Sequence, residues 1–246
     1  MSNPYMINPA SPHTETLVVL DFNCELDLEN YPAWNKTLQQ FFEHGACQGL
    51  MWSKVIDRPL QAVMHISWHL DTDPARTELT NGTWIELAPF LQDMPRSQDI
   101  KLGIRYFFTT PSLFHELVLI TGDPDLVTPE CLQSVDWLLE RTMPQISGTQ
   151  SEFLLSCVRG ITAPEDSGAT RTIATLWAWP SLQRREQFID PEQDSLGGGT
   201  QYHDLFGLTM RRLEGCGATV TKYLLHLQQW RPKKKPEKRQ RKCVVL

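Results

Sequence analysis

A chain of 246 residues with 41% hydrophobic and 21% charged residues can bury one large core or two small ones, so global disorder is excluded. Its formal charge of −6 is unevenly held: residues 231–246 carry eight Lys or Arg against Glu237, a net +7, which leaves −13 on the rest. Such a split gives the terminus a partner of its own, and no run of about 18 apolar residues exists to span a bilayer. The N-terminal MSNPYMINPASPHTET has no basic stretch followed by an apolar one, so a cytosolic location is expected. The six cysteines (Cys24, Cys47, Cys131, Cys157, Cys216, Cys243) contain no CxxC and read as reduced, mostly buried small hydrophobes.

Leu17 to Cys24 predicts a strand with Val18, Leu20, Phe22 and Cys24 on one face. Tyr31, Trp34, Leu38 and Phe41 then recur at helical spacing, with Pro32 in the first turn and Gly45 just past the end. Gly49 to Ile56 and Leu60 to Trp68 read as a hairpin turning at Asp57-Arg58-Pro59. Trp84 to Leu91 suggests a short helix interrupted by Pro89, and Ile100 to Phe108 a closing strand. The first half is β-α-β-β-α-β.

The same order recurs. Glu116 to Thr121 predicts a strand, Thr128 caps a helix running to Thr142, and Phe153 to Arg159 pairs with Thr172 to Trp179 across a loop at Ile161 to Thr170. A helix around His203 to Leu213 is broken by Gly215 and Gly217, and Thr219 to Leu227 is the last strand. Each half has the split β-α-β, ferredoxin-like order. A four-stranded sheet with helices on one face leaves the other face bare, and two such units bury those faces against each other. The predicted class is therefore α+β, two ferredoxin-like repeats packed as a pseudo-dimeric α/β barrel. The boundaries are an arm at 1–13, repeats at 14–111 and 112–230, and a basic tail at 231–246.

With the hairpin ending at Trp68 and the stretch LWAWPSLQRREQF, where Trp179, Ser181 and Phe188 form a Trp-x-Ser, then Phe, pattern at a strand-to-helix corner, the chain resembles the dimeric α/β-barrel superfamily. In particular it resembles fungal tandem relatives of antibiotic-biosynthesis-monooxygenase (ABM) domains. The resemblance implies oxidation, cyclisation or decarboxylation of polyketide-like or aromatic compounds in a sheet-lined cavity, without a metal or other cofactor. The pattern's usual His after the corner Trp is replaced by Arg185 here, and the first half has His69 and Leu70 after Trp68.

His65, Ser67 and His69 share one strand face and could serve as general acid or base groups, although no carboxylate partner is evident. His65 and His69 stand about 13 Å apart on a strand and cannot share a metal ion. Trp52, Trp68, Trp177 and Trp179 could stack on an aromatic ligand, and core packing explains them as well. His203 reads as a structural histidine, and Gly197-Gly198-Gly199 as a loop, since no strand feeds it and no Gly-Lys-Ser/Thr follows. The P-loop of a GTPase is absent from the sequence.

Cys243-Val244-Val245-Leu246 fits a C-a-a-X prenylation box whose terminal Leu favours geranylgeranyl. One lipid chain gives marginal binding, and the upstream Lys233, Lys234, Lys235, Lys238, Arg239, Arg241 and Lys242 supply the second signal toward an anionic cytosolic membrane. A prenyltransferase is then a processing partner, and nucleic acid is disfavoured because the tail lacks aromatic residues for stacking. Two functions fit: a prenyl-anchored barrel handling a small hydrophobic molecule, or a non-enzymatic membrane-tethered adaptor.

Overall fold

Strands in this protein are buried on both faces, a pattern that one period-two stripe does not reveal. The computed structural model describes residues 13–43, 47–68, 83–102, 113–127, 156–162, 170–189 and 210–231. In chain order these hold β1 (His13–Asp21), α1 (Pro32–Glu43), β2 (Cys47–Val55), β3 (Arg58–Trp68), β4 (Arg96–Leu102), β5 (Phe114–Gly122), β6 (Ser156–Thr162), β7 (Arg171–Trp179), α2 (Leu182–Ile189), β8 (Thr219–Leu225) and the two-residue β9 (Gln228–Gln229). The predicted helix at Thr128–Thr142, Gly197 to Gly199, His203 and the basic tail from Pro232 onward lie outside the described residues.

Every strand pairing is antiparallel, in the order β3-β1-β4-β6-β7-β5-β8-β2, and β2 also pairs with β3. The sheet therefore returns to its starting strand as an eight-stranded barrel, which removes its open edges. Exchanging β1–β4 for β5–β8 reproduces the same cyclic order, so the two ferredoxin-like repeats form a pseudo-dimeric α/β barrel within one chain. Its seams are short. β4 meets β6 over Ile100 to Leu102, while β2 meets β8 at Val55 and Leu225, helped by the Ile56 N–H donating to Leu224 O at 2.8 Å.

The odd positions of β1 point into the barrel, where Leu17 and Val19 meet Met51, Val63, Ile100, Leu117 and Tyr223. Its even positions, Val18 and Leu20, pack under α1 with Trp34, Leu38, Phe41 and Trp68. In α1 the buried residues Trp34, Thr37, Leu38 and Phe41 follow the predicted helical stripe. Ring contacts lock the layer, with Trp34 edge-on to Trp52 at 5.3 Å and Phe41 tilted against Trp84 at 5.2 Å. The second half repeats the arrangement with Val118, Ile120, Ile173, Trp177, Trp179 and Met210.

Several local expectations change. β1 ends at Asp21 opposite Gln61, because the Asn23 N–H turns away to Phe90 O; Cys24 lies beyond the strand and is exposed, as is Cys216. Only Cys47 among the described free thiols is buried, and burial pushes its pKa up to about 11, which leaves it inert. The hairpin turns at residues 56–57, since Val55 pairs with Arg58, and Arg58 and Pro59 already belong to β3. Trp84 to Leu91 forms two 3-10 turns, Thr83–Glu86 and Ala88–Phe90, where Pro89 cannot supply an interior helix N–H. The helical turn at 210–215 passes through Gly215 and ends at Gly217, whose φ of 99° lets the Ala218 N–H reach Leu213 O at 3.0 Å.

Candidate functional site

Two inward positions of the first repeat break the aliphatic lining of the barrel. Alternation along β1 puts Glu15 on the stripe of Leu17 and Val19, and the register of β1 with β3 sets Glu15 opposite Ser67 and Leu17 opposite His65. The imidazole Nε2 of His65 lies 2.8 Å from Glu15 Oε2, and Ser67 Oγ donates to the same oxygen at 2.5 Å. Glu15 and Ser67 are buried. His65 has 14% of its side-chain surface exposed. The carboxylate that His65 lacks in its local sequence comes from a strand fifty residues away.

This pair sits on the wall of a cavity in the barrel interior, lined otherwise by aliphatic residues including Leu17, Val63, Ile100, Leu117, Leu176 and Leu225. Its volume is about 40 Å³, against roughly 150 Å³ for an apolar cavity that admits benzene. Nε2 is committed to the carboxylate, so it carries the ring proton in the neutral tautomer and leaves Nδ1 as the lone-pair nitrogen. Nδ1 is buried without a hydrogen-bond partner among the described residues. Such an arrangement can accept a proton at Nδ1 while Glu15 stabilises the imidazolium that results. Ser67 is not paired with the imidazole here: its hydroxyl donates to the Glu15 carboxylate and not to His65.

The second repeat carries no copy of this pair. The register of β5 with β7 sets Leu117 opposite Leu176 and His115 opposite Ala178, so Leu176 takes the place of His65 and His115 that of Glu15. His115 is 1% exposed. Burial, with a smaller contribution from nearby His226, lowers its pKa to about 4, opposed by a hydrogen bond to the Leu113 backbone. It is neutral in the fold at pH 7. Between pH 6.5 and 4 the unfolded chain binds the proton that the folded one refuses, so stability falls as pH falls, by up to about 3 kcal/mol; above pH 6.5 this residue contributes no slope. His115→Gln is expected to flatten that part of a urea-denaturation pH profile.

The other sequence candidates go elsewhere. Trp68, Trp177 and Trp179 belong to the layers between sheet and helices, on the strand faces turned away from the cavity, and so does Trp52. Trp68 Nε1 donates to Thr16 Oγ1 at 2.7 Å and Trp177 Nε1 to Thr175 Oγ1 at 2.8 Å, bonds that satisfy buried indoles. Arg185, on α2, holds the buried Glu116 of β5 through Nε to Oε2 at 3.1 Å and the terminal nitrogen to Oε1 at 2.8 Å. It braces a helix against the outer face of the sheet. His69, Cys243 and Lys233 to Lys242 lie outside the described residues. Among the described residues no group of three or more His, Cys, Asp or Glu could hold a metal ion, and no helix is long and apolar enough to cross a membrane.

No protein-family model and no curated protein matches this sequence. Solved structures do. A proposed monooxygenase from Fusobacterium nucleatum superposes with a TM-score of 0.54 at 9% identity, covering 89% of this chain and 94% of that one. An anthrone oxidase-like protein superposes with a TM-score of 0.53 at 13% identity, covering 91% and 95%. At such identities the likeness is one of fold, and it extends over about nine-tenths of each chain.

Proposed function

We propose that this protein is a prenyl-anchored, membrane-associated barrel of the ABM-like type that binds and transforms a small hydrophobic molecule, aromatic or polyketide-like, with His65 as general base and Glu15 as its partner. The observation that carries the reading is the Glu15–His65 pair at 2.8 Å on the wall of an aliphatic cavity. Burying two ionisable groups where eight of the ten lining residues are apolar costs stability, and a poised acid–base pair is what such a cost supports. Cofactor-free oxygenation, cyclisation and decarboxylation of conjugated substrates share a substrate anion or a returned proton, which this pair can serve. The names of the two fold relatives, a proposed monooxygenase and an anthrone oxidase-like protein, point the same way.

The polybasic Cys243-Val244-Val245-Leu246 tail would hold the barrel at the cytosolic face of an anionic membrane, where lipophilic substrates dissolve. Fungal secondary metabolism is the setting that the resemblance implies. The narrow cavity favours a second reading, in which the body is a non-enzymatic adaptor tethered by the same tail.

Expression in a eukaryotic host tests both parts. Intact mass is expected to show a geranylgeranyl increment with membrane association lost in Cys243→Ser; an unmodified, unattached wild type contradicts the anchor. Turnover of single-ring phenols, followed by oxygen uptake and product mass, is expected to fall by about 10²–10⁴-fold in His65→Gln. Equal rates above buffer overturn His65 as the base, and no rate above buffer in either protein leaves the adaptor.

A further inference from the structure

Resting on the reading of the barrel as a small-molecule site, we infer that its ligand is a weakly acidic hydroxyl compound no larger than one ring, bound by donating its proton to Nδ1 of His65.

The polar inventory of the barrel sets the chemistry. Glu15 Oε2 already receives Nε2 of His65 and the Ser67 hydroxyl, so that oxygen is occupied by the protein's own donors. Among the residues that line the cavity, the buried polar atom left without a partner is Nδ1 of His65. In the neutral tautomer set by Nε2 it is an acceptor, and a buried acceptor left unmet costs stability. The site lacks a donor. A hydrocarbon leaves that cost standing, and a carboxylate ligand would add a second anion beside Glu15; a phenol or enol supplies a donor and arrives neutral.

Size sets the rest. The cavity holds about 40 Å³, so leucines on its wall would have to change rotamer before it matched the roughly 150 Å³ of a cavity that admits benzene. A fused system needs a larger cavity still, which the paired strands resist. The step itself is a proton transfer: the ligand O–H bond breaks, its electron pair stays on oxygen, and an N–H bond forms at Nδ1. The product is an oxyanion beside an imidazolium, whose other N–H remains on the Glu15 carboxylate. Because the second repeat has Leu176 and Ala178 where the first has His65 and Ser67, one such ligand binds per chain.

The probes are 4-nitrophenol, whose anion absorbs in the visible, and nitrobenzene, a similar ring without the acidic hydrogen, each titrated into the full chain at a pH where free 4-nitrophenol is mostly un-ionised. The expected result is saturable binding of one 4-nitrophenol with growth of the phenolate band, and nitrobenzene weaker by about tenfold, the equivalent of one buried hydrogen bond. His65→Gln should still bind but lose the band. Equal binding of both probes without a phenolate band overturns the acidic class and leaves the small-molecule cavity standing; binding of neither overturns the cavity reading as well. A band that survives His65→Gln overturns the base assignment, and 2-naphthol competing as well as phenol overturns the size limit.

Discussion

Arg185→Ala is expected to destabilise the fold by about 3–5 kcal/mol, the usual cost of stranding a buried charge. The side chain of Glu116 is 6% exposed and that of Arg185 21%, and their two parallel hydrogen bonds make up the fork that guanidinium offers and an ammonium cannot. Arg185→Lys should therefore recover only part of the loss. The double variant Glu116→Leu/Arg185→Leu should lie close to wild type, because it removes the desolvated charge along with its partner. Urea midpoints of the four proteins measure this. Unchanged stability in Arg185→Ala together with lost turnover would instead return Arg185 to the role suggested by its place in the corner motif.

A triple variant, Glu15→Leu, His65→Leu and Ser67→Ala, is expected to fold as well as wild type or up to about 4 kcal/mol better, while binding and turnover disappear. Replacing a buried ion pair by well-packed apolar residues is often neutral or stabilising, and Ser67→Ala prevents its hydroxyl from being left without the Glu15 carboxylate. His65→Leu alone should behave in the opposite way, costing about 3–5 kcal/mol because Glu15 stays buried with Ser67 as its remaining partner. A stabilised but inactive triple variant marks a pair kept for function at the expense of stability. A triple variant that unfolds would make the cluster a structural element of the barrel.

The repeat and the barrel were legible because strand, helix and turn signals recur in the same order, and because a bare sheet face demands a partner. His65 and Ser67 were legible as one strand face. Glu15 was not linked to them: that pairing depends on the register of β1 with β3, which no local pattern states. The available signal was the acid itself, set among the apolar residues of HTETLVVLD, a strand whose two stripes are both buried. Trp68, Trp177 and Trp179 drew attention as possible stacking groups, yet a tryptophan one residue out of phase with His65 faces the helices and not the cavity. Arg185 was misleading for a related reason. A position in a motif fixes where a residue leaves the backbone, and the buried carboxylate of Glu116 decides where its side chain goes.

The central claim is that the interior of the barrel, at the Glu15–His65 pair, receives a small molecule. Methyl NMR of the full chain during a phenol titration tests it most directly. The account predicts saturable shifts for the cavity-lining methyls of Leu17, Val63, Leu117, Leu176 and Leu225, with those of Leu20, Leu38 and Ile66 beneath α1 unmoved. Cavity methyls that stay still, or shifts confined to the layer under α1, would contradict it.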